Sequence, residues 1–149
     1  PYSRVEYREG VFMGYRGYEK NQVEPLFPFG FGLSYTQFEY SDLAIQPKGD
    51  GYEVAFTVKN TGKYDAYEVA QLYVGEVNPT VPRPAKELKG FKKVFIPKGK
   101  SQRISIPLSK ADFAYFDMKI RDWKTNEGAF NIFVGASATE VRLNGSVNL

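Results

Sequence analysis

Two pairs of carboxylates lie close together along the sequence, Glu6 with Glu9 and Asp112 with Asp117, and paired carboxylates are the groups that cleave glycosidic bonds. Retaining hydrolysis needs the two about 5 Å apart and inverting hydrolysis about 6.5 to 9.5 Å, and sequence spacing fixes neither distance. Solvated surface carboxylates are the simpler reading, so catalysis from within the chain is not expected. The 149 residues include no histidine and no cysteine. Within this chain there is therefore no Ser-His-Asp triad, no imidazole acid or base, no thiol nucleophile, and no His- or Cys-ligated metal.

Tyr7, Glu9, Gly10, Tyr15, Arg16 and Tyr18 form a second constellation. A tyrosine offers a flat apolar face for a sugar ring and a hydroxyl for its rim, and arginine offers a forked donor, so an approach to a sugar site is chemically sensible. Aromatics interspersed with glycines also suit a wrapped, non-repetitive packing surface, and that reading is preferred. Trp123, Tyr64, Tyr67 and Tyr115 are a third set that could stack against a glycan, although strand-rich folds also consume aromatics in their cores.

The net charge of +3 is mild, but Lys86, Lys89, Lys92, Lys93, Lys98 and Lys100 crowd between Arg83 and Arg103 with Glu87 as the one opposing charge. Lysines on exposed strands keep a sandwich soluble and discourage edge pairing, and no nucleic-acid motif accompanies them. No stretch approaches the about 18 apolar residues of a membrane span. The chain opens on Pro1, which points to a segment of something longer.

The elements that must position these residues divide the chain in two. Nine of the 24 aromatics fall in the first 36 residues, where Gly10, Gly14, Gly17, Gly30 and Gly32 interrupt every candidate element, so residues 1–36 read as an irregular arm. Its densest part runs from Glu24 to Thr36, where Phe27, Phe29 and Phe31 are separated by prolines and glycines and must be held by something they pack against.

From Phe38 the pattern changes. Phe38, Tyr40, Leu43 and Ile45 start a strand, and Tyr52, Val54, Phe56 and Val58 alternate strictly with their neighbours. Further strands are expected over Glu68 to Gly75, central and with one polar interruption, then over Lys89 to Ile96, Gln102 to Leu108 and Phe130 to Val134, with an edge strand over Val141 to Leu149. Asn60-Thr61-Gly62 reads as a turn, the stretch containing Pro79, Pro82 and Pro84 as an extended loop, and Ser109 to Asp112 as a capped turn. Short strands with no helix of any length predict an all-β, antiparallel sandwich of immunoglobulin or fibronectin type III-like type.

Several of these segments also carry a resemblance. Glu9 to Arg16, Glu24 to Thr36, Val58-Lys59-Asn60-Thr61-Gly62, Val69 to Val74 and Arg83 to Phe91 occur in the order and spacing of glycoside hydrolase family three, where its α/β catalytic domain gives way to a C-terminal fibronectin type III-like domain. The chain resembles that C-terminal segment of a β-glucosidase-like enzyme over essentially its whole length. The resemblance implies that residues 1–36 are an arm from the end of the α/β domain and residues 37–149 the fibronectin type III-like domain. It places the catalytic aspartate in an N-terminal barrel and the acid/base glutamate in the α/β domain, and neither motif is matched here.

The expected partners are those catalytic domains and, through them, a β-glucoside, with β-xyloside or another β-glycoside left open. No cofactor, metal, nucleic acid or membrane is expected. Tyr7, Glu9, Gly10, Tyr15, Arg16, Tyr18, Phe27, Phe29 and Phe31 would pack between domains or shape the rim of the active-site mouth. A free-standing carbohydrate-binding or adhesion module is the alternative.

Overall fold

The computed structural model describes residues 3–149, so the first two residues of the arm lie outside it. A three-stranded sheet is built from β1 (Phe38–Lys48), β2 (Gly51–Asn60) and β5 (Ser101–Leu108), in the order β1-β2-β5. A four-stranded sheet runs β4-β3-β8-β9, from β3 (Ala66–Glu76), β4 (Glu87–Ile96), β8 (Ala129–Gly135) and β9 (Val141–Asn148). Every pairing is antiparallel. The all-β sandwich expected from the alternation is the architecture found.

The alternating positions become the core. Val54, Phe56 and Val58 of β2 face the same way as Ile104, Ile106 and Leu108 of β5, with Phe56 registered on Ile104 and Val54 on Ile106. They meet Ala70, Leu72 and Val74 of β3, Val94 and Ile96 of β4, and Ile132 and Val134 of β8 from the opposite sheet. Fully burying side chains of this size stabilises the fold by about 1.5–3 kcal/mol each, which is why the period of two dictates the layers.

The apolar positions of β1 shift from even numbers, Phe38 and Tyr40, to odd, Leu43 and Ile45, and the structure puts a bulge between Ser41 and Ala44, with Asp42 at φ 54°. One extra residue turns the later side chains back toward the core. β9 runs on through Gly145. The glycine lets β1 close over the edge, since a Cβ there would lie 2.8 Å from Ile45 Cδ1.

Two features depart from the sequence reading. The arm contains a short helix, α1 (Tyr15–Lys20), where glycines led us to expect none. An isolated helix of this length is marginal, and ties to the sandwich described below hold it despite Gly17. A small hairpin, β6 (Tyr115–Asp117) with β7 (Asp122–Lys124), was also not anticipated, because three-residue strands are too short to show a period.

The capped turn appears as a 3-10 helix, Lys110–Phe113, where the Ser109 N–H and hydroxyl donate to Asp112 Oδ2 at 2.7 and 2.8 Å. It drives Phe113 into the core edge-on to Phe130, with ring centroids 5.1 Å apart. Among the described residues, no helix is long and apolar enough to cross a membrane.

Candidate functional site

The arm meets the sandwich along a seam held by two buried amides. Asn60, the first residue of the Asn-Thr-Gly turn, is fully buried at the end of β2. Its Oδ1 accepts from the Thr36 hydroxyl at 2.6 Å and the Gly62 N–H at 3.1 Å, and its Nδ2 donates to the carbonyls of Tyr64 at 2.7 Å and Ile96 at 2.9 Å. The last residue of the arm is thereby fixed to two β-strands and a turn.

Gln71, the polar interruption expected in β3, is the second amide. Its Nε2 donates to the carbonyls of Gly30 at 3.0 Å and Ala136 at 2.6 Å, while its Oε1 accepts from the Tyr73 hydroxyl at 2.6 Å. The Ala138 N–H donates to the Phe29 carbonyl at 2.8 Å beside it. Every polar atom of this buried group is used, which is the condition for a polar residue to lie under a packed arm.

Aromatic stacking continues from this clamp. Tyr15 lies parallel to Phe29 with centroids 4.7 Å apart and edge-on to Tyr73 at 6.1 Å, and its hydroxyl accepts from the Leu88 N–H at 2.9 Å. Burial pushes the Tyr73 phenol well above its ordinary pKa. Charge fastens α1 to the start of β4 and the residue before it: Arg16 pairs with Glu87 at 3.2 Å, and Glu19 pairs with Lys86.

Glu87 also meets Arg83 at 3.1 Å and Lys89 at 3.8 Å, and Arg83 reaches Glu76 at 2.7 Å and the Phe113 carbonyl at 3.1 Å. The basic run is therefore not opposed by Glu87 alone; Glu76, 7 positions before Arg83, and Glu19, 67 positions before Lys86, also pair with it. Burial lowers the pKa of the Lys89 ammonium.

Of the nine residues singled out in the arm, the fold brings Tyr15, Arg16 and Phe29 onto the sandwich. Phe27 and Phe31 pack against each other at 5.5 Å; Phe27 is 67% exposed, while Phe29 and Phe31, at 46 and 43%, each keep close to half of their surface open. Tyr18 is half exposed beside Tyr15, Phe29 and Lys86. Tyr7 and Glu9 are exposed, with the Glu9 carbonyl and Gly10 forming a turn closed by the Phe12 N–H at 3.1 Å.

The carboxylate pairs serve local structure instead. Glu6 lies between Arg4 and Arg8, Asp112 caps its own helix, and Asp117 accepts from the Lys119 N–H. The four aromatics of the third set share no platform, since Tyr115 is buried near Arg83, Trp123 stands edge-on to Phe116 on the small hairpin, and Tyr67 pairs with Phe95 on β3 and β4. Among the described residues, no three acidic side chains gather as a metal site would require.

The residues missed as site members are Gln71, Asn60, Tyr73, Glu19 and Arg83. Gln71 had a signal, a lone amide in an otherwise apolar strand. Glu19 had none, because its partner lies 67 positions away.

The family model described as a fibronectin type III-like domain matches residues 68–138. The thermostable β-glucosidase B of Acetivibrio thermocellus is 47% identical over 150 residues, covering 98% of this chain and 20% of that protein. The solved family-three β-glucosidase of Bifidobacterium adolescentis superposes with a TM-score of 0.92 at 40% identity, covering 96% of this chain and 21% of its own. The β-glucosidase of Kluyveromyces marxianus gives 0.93 at 39% identity, covering 97% and 18%. The chain thus spans about a fifth of the length of these relatives.

Proposed function

The chain belongs to glycoside hydrolase family three as a C-terminal, fibronectin type III-like segment of the β-glucosidase type, and from that premise we propose that it is the non-catalytic part of such an enzyme. Residues 1–36 are the closing arm of the α/β catalytic domain, and residues 37–149 are the domain that stabilises and orients the catalytic body. Hydrolysis of terminal β-linked glucose, with retention, belongs to the barrel and α/β domains of the parent. The names of the relatives, all β-glucosidases, support that substrate class.

One observation carries this reading. The sandwich closes its own core while Leu26, Leu33 and Tyr35 of the arm stand 89, 91 and 94% exposed, with Phe27 and Phe31 beside them. Covering such side chains is worth about 1.5–3 kcal/mol apiece, so an apolar strip on this scale calls for a protein surface against it. Arg16 and the stacked Tyr15 and Phe29 hold the strip in place.

An aryl β-glucoside assay on this chain alone, on the full-length parent, and on the parent cut before residue 37 tests the reading. No turnover by the chain, turnover by the parent, and faster thermal inactivation of the cut enzyme are expected. Turnover by the isolated chain, or an unaltered cut enzyme, refutes it. Glycan binding by this chain that disappears in Trp123→Ala would instead favour a carbohydrate-binding module.

A further inference from the structure

The arm covers the outer face of the four-stranded sheet over Gln71 and Tyr73 and leaves the neighbouring stretch of β3 and β4 open. Gln71 and Tyr73 of β3 lie beneath Gly30 and Tyr15, but the preceding outward positions, Val69 and Tyr67, are exposed. The register sets Tyr67 opposite Phe95, Val69 opposite Lys93, and Gln71 opposite Phe91, so Phe91 and Phe95 stand on this same face. Tyr67 and Phe95 pack with centroids 5.1 Å apart, and Phe91 is 67% exposed. Sheet faces left to water carry polar residues at these alternate positions; four large apolar side chains on two neighbouring strands are the composition of a covered face.

The uncovered stretch is continuous with the arm. Phe31 and Leu33 form one wall of a groove whose other wall is Tyr67, Val69 and Phe91. We propose that the outer face of β3 and β4 is a second docking surface for the catalytic body of the same polypeptide, lying beside the arm and separable from it. This rests on the reading of the chain as the C-terminal segment of a longer enzyme.

The relatives are about five times the length of this chain, so a body large enough to cover both strips belongs to the same molecule. Lys93, whose ammonium stands 4.7 Å over the Tyr67 ring, is the one charge within the strip and asks for a carboxylate on the covering surface. A glycan is the poorer match, because Val69, Phe91 and Phe95 make up most of the strip and leave a sugar's hydroxyls to Tyr67 and Lys93.

Hydroxyl-radical footprinting of the full-length parent, with each phenylalanine referenced to the same protein unfolded in urea, reads both strips at once. Phe91 and Phe95 are expected to oxidise at least about tenfold more slowly than in urea, matching the core residue Phe113. Rates within about twofold of the unfolded protein overturn the proposal.

Phe27 and Phe31 report on the arm independently. Their protection with Phe91 and Phe95 open sinks this second surface and leaves the proposed function standing, whereas all four open sinks both. Protection of Phe91 that vanishes on dilution, marking a second copy, or that appears only with added β-glucan, marking a glycan site, also overturns it.

Discussion

Gln71 and Gly30 are fitted to each other across the seam: the glutamine Nε2 donates to the Gly30 carbonyl at 3.0 Å, and a Cβ built on Gly30 would lie 2.2 Å from the glutamine Oε1. The strand thus grips the arm through the backbone of a residue with no side chain. Gly30 also sits at φ 79°, a left-handed conformation that side chains resist.

Gly30→Ala therefore strains the backbone and pushes on the Gln71 amide together. It should lower the unfolding free energy by about 1–3 kcal/mol in urea titrations. Gly32→Ala is the control, because a Cβ there meets nothing within 4 Å, and it should change stability by less than about 0.5 kcal/mol. Equal effects at the two positions would remove the clamp from the account.

Asn60→Ala should be among the costliest polar substitutions in the chain. It leaves the Ile96 carbonyl and the Thr36 hydroxyl without their partner in a buried setting, and the Tyr64 carbonyl and the Gly62 N–H without theirs in a partly buried one. The expected loss is about 2–4 kcal/mol by chemical denaturation, each stranded group costing on the order of 1–3 kcal/mol before relaxation. Thr36→Val removes one of these bonds and should cost about 1 kcal/mol, so a Thr36 effect as large as that of Asn60 would contradict the hub.

Much of the sandwich was legible because alternation is local: Val54, Phe56 and Val58 declare their face, and even the β1 bulge is written in the shift from Tyr40 to Leu43. The seam was less so. Gln71 could be marked as an odd residue in an apolar strand, but its partners at Gly30 and Ala136 are 41 and 65 positions away. Helix α1 was hidden because its stability comes from Glu87 and Lys86 rather than from its own glycine-bearing sequence. The exposed strip on β4 shows in the sequence only as a lysine-rich run, since Phe91 and Phe95 gain meaning from the register that sets them beside Tyr67.

Two of the 11 tyrosines should resist ionisation until the chain unfolds. Burial raises the folded pKa of Tyr40, reinforced by Glu68, whose Oε1 accepts a hydrogen bond from the Tyr40 hydroxyl at 2.7 Å; burial likewise raises that of Tyr73. The unfolded phenols ionise near 10.0 while the folded ones keep their protons. Their contribution to stability is complete below that pH and drains away as pH climbs above it. Phenolate absorbance from Tyr40 and Tyr73 should appear together with loss of β-sheet circular dichroism. The stability gap between the parent chain and Tyr40→Phe should narrow above pH 10.0, and a widening gap would contradict the assignment.

Arg83 offers the sharpest contrast between buried and exposed charge. Its side chain is 6% exposed and its guanidinium spans Glu76, Glu87 and the Phe113 carbonyl, while Arg16, about a third exposed, meets Glu87 from outside. Arg83→Met leaves the 5% exposed Glu76 carboxylate without its cation and should cost about 3–5 kcal/mol. Arg83→Lys should recover little, because one ammonium cannot fork between two carboxylates and a carbonyl. Arg16→Met should cost only about 0.2–1 kcal/mol, the worth of a screened surface pair. In the Arg83→Met, Glu76→Gln double variant the two losses should fall short of additivity by about 0.5–3 kcal/mol, since the second change relieves the charge that the first exposed. Strict additivity would mean that Arg83 and Glu76 act independently, against the 2.7 Å contact between them.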